Sequence, residues 1–361
     1  MNVLAEDATR AAKSIISLYN SLVNYLSGSP SPQPPEEEER KEPEIKQKEK
    51  KEKKEEYQST TIDKLKQLLQ ENYYDIKQIK DICWLGCPDE YRREVWKIIL
   101  QCHPIEQNKK EQYIIKRVEK YKSIQQNEGE MKDIKQIEKD LLRISEDLVN
   151  VRDSMKRILV VWSVRHPASG YVQGIHDILI PIVKVYYDYD DEKQLYLKPS
   201  IEQETDAFDS LNYVLESVQN FYTCQQPRIF ELLNDLEILI QNVDSKLASH
   251  FSSIDIHTLN YAFRWFNCFL LREFSPEQGI RLFDTLISDK KGFAELPLYL
   301  CAALLLKYSN ELQQLDFGEC IIFLQNLPTS NWSKNDMDCF ISHAHLLREQ
   351  YSQSHLFSSS N

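Results

Sequence analysis

RHPASGYVQGIHD, residues 165–177, lies between two apolar runs and places two of the chain's eight glycines four residues apart. The runs on either side, RILVVWSV and ILIPIVKVYY, have the spacing of buried helices. Pro167 and Gly170 are predicted to end the first helix, and His176 or Asp177 lies near the start of the second. The stretch therefore predicts a junction between two helices, with Asp177 as a cap for the second helix or a brace for the turn.

The same helical pattern continues through most of the chain. Apolar residues make up 42% of the 361 positions, glycine is scarce, and no alternation of period two persists over several segments. We therefore predict an all-α body of ~280 residues, from 61 to 350, followed by a tail at 351–361. Within it, residues 258–274 (TLNYAFRWFNCFLLREF) are predicted to be helical, and the polar residues 188–205 a long loop.

Two segments of different character precede the predicted body. Residues 1–28 are predicted to contain an amphipathic helix, and its apolar face consists of Ile15, Leu18, Leu22 and Leu26. Residues 29–60 are predicted to be a disordered charged linker, because 18 of the 21 positions from 36 to 56 are charged and bury little surface. We expect residues 12–27 to dock on the body or a partner, or to contact a membrane surface weakly.

Charge, cysteine usage and missing motifs argue against several classes of protein. A net charge of −12 argues against nucleic acid as the main partner. Most of the eight cysteines lie in apolar runs, which is typical of buried, reduced thiols in a soluble or peripheral protein. The longest apolar run, around Leu296–Leu306, is too short for a membrane span. The chain has no Walker A loop, no G-x-G-x-x-G and no H-E-x-x-H, so we expect no cofactor or metal ion of its own.

Gln173 lies in the predicted junction, between Tyr171 and Gly174. A carboxamide donates and accepts hydrogen bonds at once, which is what orienting a water molecule against a phosphoryl group requires. Packing of Tyr171 and the small size of Gly174 would hold such an amide rigidly. An ordinary turn between helices is the alternative interpretation.

The second candidate segment is QIEKDLLRIS, residues 136–145. Ile137, Asp140 and Arg143 are three residues apart, so the carboxylate and the guanidinium can be neighbours. Asp140 could then fix the direction of Arg143, and an arginine so held can stabilise charge on phosphate oxygens. A surface ion pair without chemistry is the alternative.

Together these segments resemble the TBC (Tre-Bub-Cdc) domain, the helical GTPase-activating domain for Rab GTPases, over about residues 81–350. I-E-K-D-L-L-R matches the arginine-finger motif I-x-x-D-x-x-R, and Y-V-Q-G matches the glutamine-finger motif Y-x-Q-G. The segment C-W-L-G-C-P-D-E-Y-R-R-E-V-W-K resembles the family's first motif, with Gly86, Pro88, Arg92 and Trp96 in place. R-H-P-A-S-G-Y-V-Q-G and the later F-R-W-F-N-C-F-L-L-R-E-F resemble the subgroup of yeast Ypt GTPase activators.

The resemblance implies two helical subdomains forming a V-shaped groove, about 61–223 with both fingers and about 224–350. It implies an activator, without turnover of its own, for a GTP-bound Rab that brings GTP and Mg²⁺. Arg143 would neutralise charge on the phosphate oxygens and Gln173 would orient the attacking water, in a protein of vesicle traffic that is cytoplasmic or peripheral on Golgi or endosomal membranes. Support for the fingers is expected from Ile137, Asp140, Tyr171, Gly174 and Asp177. Charge pairs that hold the helices around the groove are expected from Arg264, Arg272, Glu273, Arg281 and Asp284.

The sequence departs from the family pattern next to the first finger. The usual R-T-x-P is replaced by R-I-S-E, which puts Glu146 and Asp147 close behind Arg143. His176 stands where the family usually has Asn, and Phe283 where it usually has Trp. The altered segment favours an alternative, a Rab-binding scaffold or effector with weak or no GTPase-activating activity.

Overall fold

The computed structural model describes residues 60–125, 133–223 and 225–352. The predicted amphipathic helix within 1–28, the charged linker up to residue 59 and the tail from residue 353 lie outside the described residues. Within the described ranges, each helix is either too short or too polar to cross a bilayer.

Eight helices form the first part of the described chain. They are α1 (residues 60–70), α2 (Ile76–Cys83), α3 (Asp89–Ile99), α4 (Lys110–Gln125), α5 (Ile134–Leu141), α6 (Arg152–Arg165), α7 (Ile175–Tyr186) and α8 (Ile201–Ser217). Short 3₁₀ turns at Gln107–Lys109 and Glu146–Val151 join some of them, and another follows α8 at Gln219–Phe221.

Eight more helices follow. They are α9 (Pro227–Val243), α10 (Ser245–Ser253), α11 (Ala262–Asn267), α12 (Pro276–Ser288), α13 (Gly292–Lys307), α14 (Ser309–Leu312), α15 (Phe317–Gln325) and α16 (Lys334–Tyr351). In the described residues the only strands are β1 (Tyr189–Asp190) and β2 (Leu195–Tyr196), which pair antiparallel. The predicted all-α class is confirmed.

The prediction of a loop over 188–205 is wrong at both ends of that stretch. Its first part forms the β1–β2 hairpin, and α8 begins at Ile201. Ser200 caps this helix, because its side chain accepts from the Gln203 amide while the Gln203 side chain accepts from the Ser200 amide. This reciprocal pair is a local start signal that the polar composition concealed.

The prediction of a helix over 258–274 is wrong in its middle. Helix α11 ends at Asn267, and Phe269 and Leu270 have φ values of 50° and 63°. A left-handed residue costs roughly 1–2 kcal/mol, whereas burying a large apolar side chain contributes roughly 1.5–3 kcal/mol. Both side chains are buried, so burial offsets the backbone cost. The break turns Asn267, Cys268 and Arg272 toward the candidate site.

Helix α12 lies at the centre of the packing. It contacts α2, α3 and α7 from the first part of the chain and α13 and α16 from the second. Ser275 and Gln278 form a capping box at its start, with Pro276 in the first helical position. The largest fully buried side chains include Trp96, Trp265 and Phe283, and one contiguous apolar core contains all three. The division into two subdomains at about 223/224 stays a prediction.

The first motif closes on a buried carboxylate of α12, Asp284. Its Oδ1 accepts from Trp96 Nε1 at 2.7 Å and its Oδ2 accepts from the Cys87 amide at 2.9 Å. Arg92 Nε lies 3.1 Å from Oδ1. Burial raises the pKa of Asp284, and Arg92 and the N–H donors oppose that rise. Arg92 and Trp96 lie on α3 and Asp284 lies on α12, so these hydrogen bonds join the two helices.

Gly86 and Pro88 shape the turn that leads into α3. Gly86 has a φ of 109°, and a Cβ there would lie 2.9 Å from Nε of Arg281. Pro88 is the N-cap residue of α3. Arg281 in turn pairs with Asp338 of α16 at 2.8 Å. This turn therefore needs glycine both for its backbone conformation and for the close approach of the guanidinium.

Candidate functional site

Tyr171 joins the two predicted finger segments. Its hydroxyl donates to Asp140 Oδ2 at 2.8 Å, across 31 residues of sequence. Asp140 is 1% exposed, and its other oxygen accepts from Gln136 Nε2 at 3.0 Å. Ile137 is fully buried on the same face of α5. The motif residues that precede Arg143 therefore anchor its segment to the turn that carries Gln173.

His176 completes this buried cluster. Its Nδ1 lies 3.0 Å from the Tyr171 hydroxyl oxygen. An ionised carboxylate only accepts hydrogen bonds, so the Tyr171 proton points to Asp140 and the remaining contact assigns a proton to His176 Nδ1. Burial lowers the pKa of His176; the carboxylates of Asp177 and Asp140 oppose this, and the guanidinium groups of Arg272 and Arg143 add to it. A neutral ring therefore donates to Tyr171, as the amide of an asparagine at this position could.

Arg143 lies just beyond the end of α5 and points into solvent. Its backbone amide donates to the Asp140 carbonyl at 3.1 Å, and its side chain is exposed. The side chain has no hydrogen bond or ion pair with any residue in the described ranges. The expected contact with the Asp140 carboxylate is not formed, because Asp140 lies on the buried face of α5 and is committed to Tyr171 and Gln136. Asp140 therefore holds the backbone segment that carries Arg143 and does not contact the Arg143 guanidinium.

The acidic residues behind Arg143 differ in their surroundings. Asp147 accepts a hydrogen bond from Lys184 of α7, whose side chain is largely buried. Burial acts to raise the pKa of Asp147, but the hydrogen bonds from Lys184 and Ser145 outweigh it and lower the pKa. Glu146 is exposed. The charge of Asp147 is therefore compensated by Lys184. Of the two acidic residues, only Glu146 presents an uncompensated carboxylate to solvent.

Gln173 is also exposed, and its backbone is fixed from behind. Asn267 Nδ2 donates to the Gln173 carbonyl at 2.7 Å. The next residue, Gly174, has a φ of 108°, and a Cβ there would lie 2.3 Å from Asn267 Nδ2. A side chain at Gly174 would therefore strain the backbone and displace the asparagine. The carboxamide of Gln173 has no partner among the described residues.

Asp177 braces the turn and does not cap it. Its Oδ1 accepts from Arg272 Nε at 3.1 Å, and its Oδ2 accepts from the Cys268 thiol at 3.3 Å. The N-cap residue of α7 is Gly174, without a side-chain cap. Of the two predicted roles of Asp177, the structure has the brace. Its two hydrogen bonds link α7 to the residues that follow α11.

Two supporting residues were not predicted from the sequence. Asp133 accepts from the Tyr171 amide at 2.8 Å and from Ser163 Oγ at 2.8 Å. Asn267 takes part in two hydrogen bonds besides the one to Gln173. Its Oδ1 accepts from Gln226 Nε2 at 2.9 Å, and its backbone carbonyl accepts from the Tyr222 hydroxyl at 2.9 Å. A buried amide inside the apolar run RWFNCFLL is the one signal that could have pointed to it.

The remaining arginine of the C-terminal motifs forms an ion pair within its own region. Arg264 binds Glu273 through two hydrogen bonds of 2.9 Å each. Burial raises the pKa of Glu273, and Arg264 opposes the rise. With Arg272–Asp177, Arg281–Asp338 and Arg92–Asp284, this pair joins separate elements of the domain through charge.

The site thus has two exposed polar side chains on a rigid buried support. The sequence model of the RabGAP-TBC family (Rab-GTPase-TBC domain) matches residues 89–313, a span that contains both finger segments. The chain belongs to the Rab-GTPase-TBC domain family.

Comparisons with known proteins agree with this assignment to the TBC family. The GTPase-activating protein gyp1 of Schizosaccharomyces pombe is 33% identical over 315 residues, which cover 81% of this chain and 61% of that protein. Human TBC1 domain family member 22A is 31% identical over 314 residues, with coverage of 81% and 61%. The matched part of the chain therefore spans about three fifths of the length of these relatives.

A solved structure gives the same fold for the TBC domain. The crystal structure of the Ypt/Rab-GAP domain of Gyp1p superposes with a TM-score of 0.74 at 30% identity. The superposition covers 81% of this chain and 98% of that one. The TBC-type helical fold predicted from the motifs is confirmed.

Proposed function

We propose that this chain is a GTPase-activating protein for a Rab-family GTPase and that it supplies Arg143 and Gln173 in trans. One observation carries the proposal. Two exposed side chains, a guanidinium and a carboxamide, lie on segments joined by the buried Tyr171–Asp140 hydrogen bond. Family membership and the name of the relative gyp1, a GTPase-activating protein, support the same assignment.

In this proposal the two side chains have different roles at the partner's nucleotide. Arg143 neutralises charge that develops on the β- and γ-phosphate oxygens, and Gln173 orients the attacking water. GTP and Mg²⁺ belong to the partner, and the TBC chain alone turns over nothing. An arginine finger supplied in trans contributes about 10³–10⁵ in rate, or roughly 4–7 kcal/mol of barrier. Such a gain requires the reacting groups to be held in place, which the buried support provides.

The partner is proposed to be a Rab in its GTP-bound state, with a role in vesicle traffic. A cytoplasmic location, or peripheral attachment to Golgi or endosomal membranes through residues 12–27, is part of this proposal. Deleting residues 1–60 is expected to leave the rate in solution nearly unchanged. A large loss of rate would instead indicate that this segment docks on the domain.

A second candidate function is a Rab-binding scaffold with little or no activating activity. The observation that favours it is the exposed Glu146, three residues after Arg143, where a phosphate group would have to approach. A like charge there opposes the entry of an anion. Wild-type rates distinguish the two functions, because a scaffold binds a GTP-loaded Rab without accelerating hydrolysis, and Glu146→Gln tests the cause, since removing the opposing charge should then give the scaffold a measurable rate.

Single-turnover GTP hydrolysis across a panel of GTP-loaded Rab proteins tests the proposed function. We expect at least one Rab to be accelerated, and the acceleration to fall by about 10³ or more in Arg143→Ala. Arg143→Lys keeps the charge but loses the planar fork, so it should recover only a small part of the rate. If Arg143→Ala leaves the acceleration intact, the finger assignment is wrong.

A further inference from the structure

The arginine loop, residues 142–151, connects α5 to α6 and carries Arg143. Its first anchor is the hydrogen bond from Tyr171 to Asp140, just before the loop begins. Where the family pattern has proline, the loop has Glu146, so the fixed φ that proline gives is missing. Any restraint on the far side of Arg143 must therefore come from other contacts.

Asp147, four residues after Arg143, makes such a contact. It accepts a hydrogen bond from Nζ of Lys184 on α7. The Lys184 side chain is 8% exposed and the Asp147 side chain 24% exposed, so the pair lies largely out of water. Removing one partner of a buried ion pair leaves an uncompensated charge, which is strongly disfavoured. The pair therefore persists while the domain is folded.

The β1–β2 hairpin packs against the same ammonium group. Lys184 Nζ lies 5.0 Å from the ring centroid of Tyr196, a distance at which the face of the ring attracts a cation. Tyr196 pairs with Tyr189 across the hairpin, with ring centroids 4.9 Å apart. Strand β2 also contacts the 3₁₀ turn at Glu146–Val151 within the arginine loop. Lys184 therefore lies where α7, the hairpin and the arginine loop meet.

The two anchors of the arginine loop lie at opposite ends of α7. The Tyr171–Asp140 bond is at the junction before the helix. Lys184 lies in the last turn of the helix, roughly 13 Å from its first residue at a rise of 1.5 Å per residue. A segment held at one point can pivot about it, whereas two separated anchors fix both its position and its direction. Both anchors also place Arg143 relative to the helix that follows Gln173.

We infer that Lys184 is a positioning residue for Arg143 and acts through Asp147 on the loop between them. The inference rests on the proposed function. The Lys184 ammonium is buried and committed to Asp147 and the Tyr196 ring, so it does not act on the nucleotide directly. Its effect is expected in kcat, since misplacing a reacting group by about 1 Å can cost about 10²-fold in rate.

Multiple-turnover kinetics with the full chain and a GTP-loaded Rab that the wild type accelerates test this role. Lys184→Met keeps the length of the side chain and removes the charge, so kcat should fall about 10–100-fold while KM stays within about twofold. Asp147→Asn should lower kcat by a similar factor. The double variant should fall no further than either single one, because both changes break the same contact. Lys184→Arg keeps a cation for Asp147 and should restore most of the rate.

A second buried lysine with similar surroundings, paired with α8 instead of the arginine loop, provides the matched control. Lys97 Nζ on α3 lies 2.7 Å from Asp206 Oδ2 and 5.8 Å from the Tyr186 ring centroid, and its side chain is 12% exposed. Lys97→Met should leave kcat within about twofold of the wild type. Equal kcat values for Lys184→Met and Lys97→Met would overturn the inference and leave the proposed function standing.

Hydrogen–deuterium exchange tests the restraint itself without a GTPase. The Arg143 amide donates to the Asp140 carbonyl and the Leu148 amide to the Ser145 carbonyl, at 3.1 Å each. Peptides that cover residues 142–151 should exchange about fivefold faster in Lys184→Met and at the wild-type rate in Lys97→Met.

The two measurements separate the inference from the proposed function. Wild-type exchange of these peptides in Lys184→Met overturns the inference whatever the Rab panel shows. A panel in which the wild type accelerates no GTP-loaded Rab overturns the proposed function and the rate effect with it, and the exchange rates then still decide whether Lys184 holds the loop.

Discussion

The side-chain amide of Asn267 holds the backbone carbonyl of Gln173 at 2.7 Å, across 94 residues of sequence. The contact connects the turn of one proposed catalytic residue to the broken helix α11 in the second part of the chain. The donor is a side-chain nitrogen and the acceptor a main-chain oxygen, and neither belongs to the carboxamide proposed to act on water, so the contact restrains the position of Gln173 without taking part in the reaction. Several measurable consequences depend on this and the neighbouring buried contacts.

Replacing Asn267 should lower the rate more than the affinity. Asn267→Asp removes the Nδ2 donor and places a carboxylate against the Gln173 carbonyl, so the turn should shift. A displacement near 1 Å can cost about 10²-fold in rate, and we expect kcat to fall by about 10–100-fold. Asn242→Ala is the matched control, because Asn242 Nδ2 also donates to a carbonyl at 2.7 Å but on an exposed helix surface. Equal kcat values for the two variants would contradict the positioning role.

Gly174→Ala should destabilise the protein by about 2 kcal/mol or more. The residue would be held at a positive φ, which costs roughly 1–2 kcal/mol, and its Cβ would lie 2.3 Å from Asn267 Nδ2. Denaturant unfolding measures the loss. Gly318→Ala in α15 is the control, because its Cβ would meet nothing closer than 3.6 Å, and it should be neutral or slightly stabilising. Wild-type stability in Gly174→Ala would show that the turn relaxes freely.

Tyr171→Phe should weaken both stability and activity. The change leaves the buried Asp140 Oδ2 without its hydroxyl donor, which costs about 1–3 kcal/mol. Because the same bond joins the two finger segments, we expect the stimulated GTPase rate to fall as well. Tyr189→Phe provides the comparison, since the Tyr189 hydroxyl bonds to Gln194 at an exposed site. If both variants matched the wild type in unfolding free energy and in stimulated GTPase rate, the Tyr171–Asp140 hydrogen bond would have no role in either property.

Unfolding free energy should decrease as the pH falls from about 6.5 to 4. Burial on α16 lowers the pKa of His343 to about 4, and its Nδ1 has no hydrogen-bond partner in the described part of the chain. Between these values the unfolded chain binds a proton that the folded chain does not, so stability rises with pH. The contribution is complete above about pH 6.5 and amounts to about 3 kcal/mol at most.

His343→Phe isolates that contribution. The variant should differ from the wild type by a constant offset above pH 7, and its unfolding free energy should depend less steeply on pH between 6.5 and 4. Denaturant midpoints measured at intervals of half a pH unit give the two slopes. A slope identical to that of the wild type would mean that other groups account for the acid sensitivity.

The contacts explain which parts of the site were predictable. Arg143, Tyr171, Gln173 and Gly174 lie in short motifs, and such motifs specify local turns and exposed side chains. The orientation of Asp140 was not predictable, because a spacing of three residues fits a pair with Arg143 as well as burial against Tyr171. Its hydrogen bond to Tyr171 forms because α5 packs against α6 and α7, the helices on either side of the junction that contains Tyr171.

Periodicity and capping by themselves determined that this chain is helical, since both depend on side chains three or four residues apart. They also determined where most helices lie and which two segments carry the proposed finger residues. Only the tertiary structure decided that α11 breaks at Phe269 and Leu270, and that Asn267 thereby reaches Gln173. Burial of two large apolar side chains offsets the left-handed backbone there, and that burial comes from distant elements whose arrangement no local spacing encodes.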